Sequence, residues 1–125
     1  MKKIINSLLV PQAIGPYCQA VLSGNTLYIS GQLPVCVDKE GLVDNDINQQ
    51  THQVLKNIGH ILKEAGFAYT DVVKTTCLLS DMSNFAEFNT VYASYFTSDC
   101  PARATFAVKA LPLNALVEIE AIAVK

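Results

Sequence analysis

Asp46-Ile47-Asn48-Gln49-Gln50-Thr51-His52-Gln53-Val54-Leu55-Lys56-Asn57-Ile58-Gly59-His60-Ile61-Leu62-Lys63-Glu64-Ala65 is the most strongly patterned stretch of this chain. Ile47, Thr51, Val54, Leu55, Ile58, Ile61, Leu62 and Ala65 recur at intervals of three and four, which return side chains to one side of an α-helix. Gln49, Gln50, Gln53, Lys56, Asn57, Lys63 and Glu64 fall on the other side, so the pattern predicts an amphipathic helix with one face on a core. Asp44 to Asp46 offers N-caps, and Gly66 is placed to end the helix. One such stripe has to be covered by other elements, so its flanks decide the fold.

Downstream, Val72–Leu79 is rich in β-branched residues and reads as a strand. A second helix opens near Asp81 or Ser83, with Phe85, Phe88, Tyr92, Tyr95 and Phe96 on one stripe; that stripe reads as core. Pro101 breaks the chain, and Ala102–Val108 and Leu116–Val124 read as strands on either side of Leu111-Pro112. Upstream, Lys2–Ile5 suits a short opening strand, and Pro11 to Pro16 reads as a loop. Tyr17–Leu22 and Thr26–Ser30 form a hairpin pattern around Ser23-Gly24-Asn25. Gly31 to Asp46 reads as a long loop. Two or three strands, helix, strand, helix and two strands predict an α+β fold. One mixed sheet would carry both helices on one face, in a single domain spanning residues 1–125.

Half the residues are hydrophobic and 16% are charged, a globular composition. The formal net charge is -2. Eight of the nine cationic residues are lysines, spread along the chain without the basic stripe that phosphate neutralisation requires, so nucleic acid is not an expected partner. No apolar run reaches the length of a membrane span. Lys2 and Lys3 resemble a signal n-region, but Asn6 and Ser7 interrupt the following run and Pro11 stops it. Cys18, Cys36, Cys77 and Cys100 form no C-x-x-C pair and no zinc spacing with the histidines. They read as reduced, mostly buried small hydrophobes, which points to the cytosol. His52 and His60, roughly 12 Å apart along one helix, cannot share a metal.

Strand alternation makes the last two strands informative. Val117, Ile119, Ala121 and Ala123 form a small apolar face; the opposite face carries Leu116, Glu118, Glu120, Ile122 and Val124. A solvated face rarely holds Leu, Ile and Val at every remaining position, so a second copy of the chain is expected to cover it. In the other strand, Ala102, Ala104, Phe106 and Val108 suit the helix side. That leaves Arg103, Thr105 and Ala107 on the uncovered face. Arg103 is the only arginine, and its planar fork suits a carboxylate. Arg103 and a glutamate therefore either build a polar ligand pocket at an interface or form an ion pair with no ligand.

Pro101-Ala102-Arg103-Ala104-Thr105-Phe106, with Val117-Glu118-Ile119-Glu120-Ala121, resembles the C-terminal signature of the Rid family, also called the YjgF or L-PSP family. Ala13-Ile14-Gly15-Pro16-Tyr17, Ile29-Ser30-Gly31-Gln32-Leu33-Pro34 and Val73-Lys74-Thr75-Thr76 agree as well, in the right order. The resemblance implies a chorismate-mutase-like fold and a homotrimer with a central β-barrel and clefts between subunits. It also implies cofactor-free hydrolysis of 2-aminoacrylate, 2-iminopropanoate and 2-iminobutanoate to 2-oxo acids and ammonia. By the same resemblance, Arg103 grips the substrate carboxylate, Glu118 positions the water, and Tyr17 and Gly31 line the cleft from the neighbouring subunit. Tyr17 is further expected to give a proton to the leaving nitrogen. Thr105, where several members carry a cysteine, and Asn89 match further substrate-binding positions, Thr105 through its backbone and Asn89 as structural support. Two other readings attach to the family: an endoribonuclease or translation inhibitor, and a ligand-binding regulatory trimer without turnover.

Overall fold

The computed structural model describes every residue, Met1–Lys125. Six strands and two helices follow one another as β1 (Lys2–Ile5), β2 (Ala20–Ser23), β3 (Thr26–Gln32), α1 (Ile47–Glu64), β4 (Val72–Leu79), α2 (Phe85–Tyr95), β5 (Ala102–Ala107) and β6 (Val117–Val124). Short 3-10 turns precede β4, α2 and β6. The strands form one mixed sheet in the order β1-β2-β3-β6-β4-β5. Only β4 and β5 run parallel, because α2 lies in the connection and carries the chain back to the starting end. The α+β architecture expected from the pattern is the one observed.

Local chemistry sets the boundaries of α1. Asp46 adopts an extended backbone, and its side chain accepts from the Asn48 N–H at 3.0 Å, satisfying one of the free N–H groups of the first turn. At the other end, Gly66 takes φ +81°, Phe67 N–H donates to Leu62 and Gly66 N–H donates to Lys63. This is the paired bonding of a Schellman ending, which glycine permits because it has no Cβ.

The apolar stripe of α1 meets Leu27 and Ile29 of β3 and Val117, Ile119, Ala121 and Ala123 of β6 in one buried cluster. The two alanines let the helix approach the sheet closely. α2 packs beside α1 and contributes Phe88, Tyr92 and Phe96 to the same core. Two residues assigned to the polar side of α1 are buried. Gln50 accepts from the Leu116 N–H at 2.8 Å, and Asn57 donates to the carbonyls of Leu33 and Val35. Both amides serve loop backbone that would otherwise lack partners. The cysteines also depart from expectation. All four are free, but only Cys77 is buried; Cys18 and Cys36 are half-buried and Cys100 is exposed in the bend before Pro101.

One side of the sheet faces the helices. The other carries Tyr28, Lys74, Thr76, Leu78, Ala104, Phe106, Glu118, Glu120 and Ile122, none of them fully buried. No helix is long and apolar enough to cross a membrane.

Candidate functional site

The residues singled out in the sequence gather in two separate places. At the β5 edge, Arg103 pairs in register with Thr75 of β4, and Thr105 with Cys77. Thr75 and Cys77 are buried and point to the helices, so Arg103 and Thr105 do too. This reverses the expected facing of β5: Ala102, Ala104 and Phe106 lie outward, and Phe106 is 48% exposed. The inversion has a physical cause. The helix layer over β5 is the aromatic stripe of α2, a surface that attracts a guanidinium, while the outward face is itself apolar and accepts alanine and phenylalanine.

Arg103 Cζ lies 4.7 Å from the ring centroid of Tyr92, 5.6 Å from that of Phe85 and 5.8 Å from that of Phe88. One terminal N–H donates to Asn89 Oδ1 at 2.7 Å. No carboxylate reaches the guanidinium; the chain's one ion pair joins Lys39 and Asp44. Thr105 Oγ1 is buried without a hydrogen-bond partner. Burial pushes the neighbouring Cys77 thiol up to about 11, so it stays protonated at neutral pH and is no nucleophile.

The second group lies on the other side of the sheet. Glu118 projects outward from β6 and its carboxylate lies against Gly31 of β3, where any Cβ would collide with it. Gly31 therefore belongs to a strand end next to a register shift, not to the long loop expected there. Burial first, and the neighbouring Glu120 carboxylate second, raise Glu118 above the ordinary glutamate value. Tyr17 is 58% exposed, and with Gly31 it borders a cavity of about 210 Å³ whose apolar wall includes Val10, Leu33, Val35 and Leu113. The loop holding Tyr17 is tied to β3 by the Ser30 hydroxyl, which donates to the Cys18 carbonyl at 2.7 Å.

Within one chain, then, Arg103, Asn89 and Thr105 stand together on the helix side of β5, Glu118 meets Gly31 across the sheet from them, and Tyr17 joins Gly31 at the wall of the cavity. Sequence reading missed the aromatic seat of Arg103. The 85, 88, 92 spacing was visible but read as core alone, although it serves both purposes. His52 takes no part in either group; its Nδ1 lies 2.9 Å from the Tyr95 hydroxyl.

Comparison with known proteins gives concordant matches. The family model for endoribonuclease L-PSP matches residues 8–125. A 2-iminobutanoate/2-iminopropanoate deaminase from Bos taurus is 50% identical over all of this chain and 91% of its own. A protein of the conserved Rid family from Yersinia pestis superposes with a TM-score of 0.97 at 47% identity, covering both chains completely. TdcF of E. coli, solved with bound serine, superposes with a TM-score of 0.94 at 37% identity over 98% of each chain.

Proposed function

The chain belongs to the Rid, or endoribonuclease L-PSP, family, and on that premise we propose that it is an imine deaminase acting on 2-aminoacrylate, 2-iminopropanoate and 2-iminobutanoate. The observation that carries this reading is the state of Arg103: a part-buried guanidinium held by an amide and three rings, with no acidic partner. A cation so placed has N–H donors left for an anion, and its fork fits a carboxylate. The identity to a deaminase along the whole chain supports the same choice, as does serine, a small carboxylate, in the TdcF structure.

The site is completed between copies of the chain. The outward face of the sheet, with Phe106, Leu78 and Ile122, is buried in a homotrimer whose strands line a central barrel in a chorismate-mutase-like arrangement. Each cleft takes Arg103, Asn89 and Thr105 from one subunit and Tyr17, Gly31 and Glu118 from the next. Closed symmetry covers such a surface, and it also unites two groups that one chain holds apart.

The reaction needs orientation more than activation, since the imine carbon is already electrophilic. Arg103 binds the carboxylate. Glu118 holds a water against the imine carbon and takes its proton as the C–O bond forms, while Tyr17 donates a proton to the nitrogen, general acid-base help worth roughly 10²–10⁴-fold. The protonated Glu118 then gives its proton to the carbinolamine nitrogen as the C–N bond breaks, and the hydroxyl proton returns to Tyr17 as the C=O bond forms, leaving a 2-oxo acid and ammonia with both side chains restored. Tyr17 is 58% exposed and lines the cavity beside Gly31, which leaves it open to a ligand there. Side chains of the protein supply every step, and none calls for a cofactor. The work is cytoplasmic, close to the pyridoxal-phosphate enzymes that release such imines.

The test couples a threonine or serine dehydratase to the protein and follows 2-oxo acid release in the presence of an imine trap. Wild-type protein should accelerate release and Arg103→Ala should not, while remaining the same oligomer. An Arg103→Ala variant as fast as wild type would overturn the assignment, and RNA cleavage lost in that variant would favour the nuclease reading. Binding of 2-oxobutanoate without any acceleration would favour a sensor.

A further inference from the structure

We propose that Tyr92, anchored through Thr75, is a positioning residue that fixes the plane of the Arg103 guanidinium for carboxylate binding. The proposal rests on the deaminase reading of Arg103 but adds residues to which neither the sequence motifs nor the comparisons give a role.

The geometry forms a closed loop. Thr75 and Arg103 are partners in the parallel β4–β5 ladder, so their Cα positions are fixed relative to one another. The Thr75 side chain, only 1% exposed, meets the Tyr92 hydroxyl at 2.7 Å. The Tyr92 ring then carries the Arg103 guanidinium at 4.7 Å, the shortest of its three aromatic contacts. The ring under the arginine is thus tethered to the strand residue beside that arginine. Were Tyr92 only core, its ring would suffice. The buried hydroxyl pair adds a fixed orientation, because such a bond is lost if the ring shifts.

Phe88 and Phe85 complete the seat one and two turns before Tyr92 on α2, and Asn89 holds one terminal N–H. Stacking uses the face of the guanidinium and Asn89 one corner, which leaves the remaining edge to meet a carboxylate in its own plane. A flexible arginine would lose more rotamer freedom on binding; a seated one has lost it already.

Arg103 is the chain's only arginine, so its side-chain Nε–H gives a single NMR signal. The experiment records that signal in the full-length protein and variants, with and without 2-oxobutanoate, alongside KM and kcat for imine hydrolysis. In wild type the signal should lie upfield of its position in the unfolded protein, as stacking on a ring requires. Tyr92→Leu should move it back and raise KM about tenfold, more than it lowers kcat. Tyr92→Phe, which keeps the ring but loses its bond to Thr75, should fall between wild type and Tyr92→Leu in both signal and KM, and Thr75→Val should match it. A Tyr92→Phe variant identical to wild type overturns the anchoring. Phe85→Leu, at the half-buried start of α2, provides a second weakened seat should Tyr92→Leu fail to fold. An unshifted wild-type signal, or a Tyr92→Leu variant with unchanged KM and signal, overturns the proposal. A shifted signal in a protein that neither turns over imines nor binds 2-oxobutanoate instead overturns the deaminase reading, and the positioning role falls with it while the seat stands.

Discussion

Arg103 and Glu118 lie on opposite faces of the same sheet. Each is related to β4 by register: Arg103 sits beside Thr75, which points to the helices, and Glu118 sits beside Leu78, which points away from them. No side-chain rotation brings the two together within one chain. If both act on one substrate, they come from different copies.

That geometry predicts complementation. Arg103→Ala and Glu118→Gln should each be inactive alone. Unfolded together at equal amounts and refolded, they should recover activity, because some clefts then receive an intact Arg103 from one chain and an intact Glu118 from its neighbour. Random mixing in a cyclic trimer gives about a quarter of the wild-type rate. Imine hydrolysis by the mixture, against each variant refolded alone, measures it. No recovery would mean that the two residues do not meet in one cleft.

Glu118 gives a pH dependence with a definite sign. A water-holding carboxylate works ionised, and burial together with Glu120 raises its affinity for a proton. Burial and the Glu120 charge push the acidic limb of kcat/KM up, while the Arg103 guanidinium facing it across the proposed cleft pulls it down. Glu120→Gln removes the like charge, so the limb should move to lower pH than in wild type. For stability the sign is opposite. The native state holds this proton more tightly than the unfolded chain, so the contribution is present below the unfolded pKa and lost as pH rises through the folded one. Glu118→Gln should melt slightly higher than wild type at neutral pH while losing activity. A pH-rate profile and thermal melts of the variants decide both points.

Local signals made most of the fold legible in the sequence. The caps of α1 at Asp46 and Gly66, the limits of β4 and the alternation of β6 are each fixed by neighbouring residues. The facing of β5 was not legible, because Ala102, Ala104 and Phe106 look like core and the sequence does not show that the outward face is apolar as well. Arg103 looked like the polar exception, yet aromatic rings beneath it make the helix side its favourable side. Gln50 and Asn57 misled for a related reason: an amide that serves a buried loop carbonyl looks no different in sequence from one facing water. Motifs, not hydrophobic patterning, mark the site residues in the sequence. Their separation into two groups depends on strand order, which pairing between distant residues decides.

Gly59 offers a stability test against the usual rule. Replacing a mid-helix glycine by alanine ordinarily stabilises by about 1 kcal/mol. Here a Cβ would run into the Tyr69 hydroxyl, which donates to the Leu55 carbonyl at 2.6 Å. Gly59→Ala should therefore destabilise, by about 1–3 kcal/mol. With the hydroxyl removed in Tyr69→Phe, the added methyl should cost less, so the double variant should be more stable than the two single losses predict. Chemical denaturation of the four proteins gives the coupling.

Gly31 separates function from folding. Its backbone is not in the left-handed region, so alanine is conformationally acceptable there. What alanine cannot avoid is the Glu118 carboxylate, which occupies the space where its methyl would go. The carboxylate is the mobile partner and will swing aside, carrying any water it holds out of line. Misplacement on the scale of an ångström lowers rates by about 10²-fold, so kcat/KM should fall by that order while the melting temperature changes little. Gly24 supplies the converse. It turns the β2–β3 hairpin at φ +59° with open space around it, so Gly24→Ala strains the backbone without touching either group of site residues. That variant should melt lower and keep its turnover. Equal losses of activity in the two variants would show that Gly31 matters only for the strand, and would remove the contact with Glu118 from the functional argument.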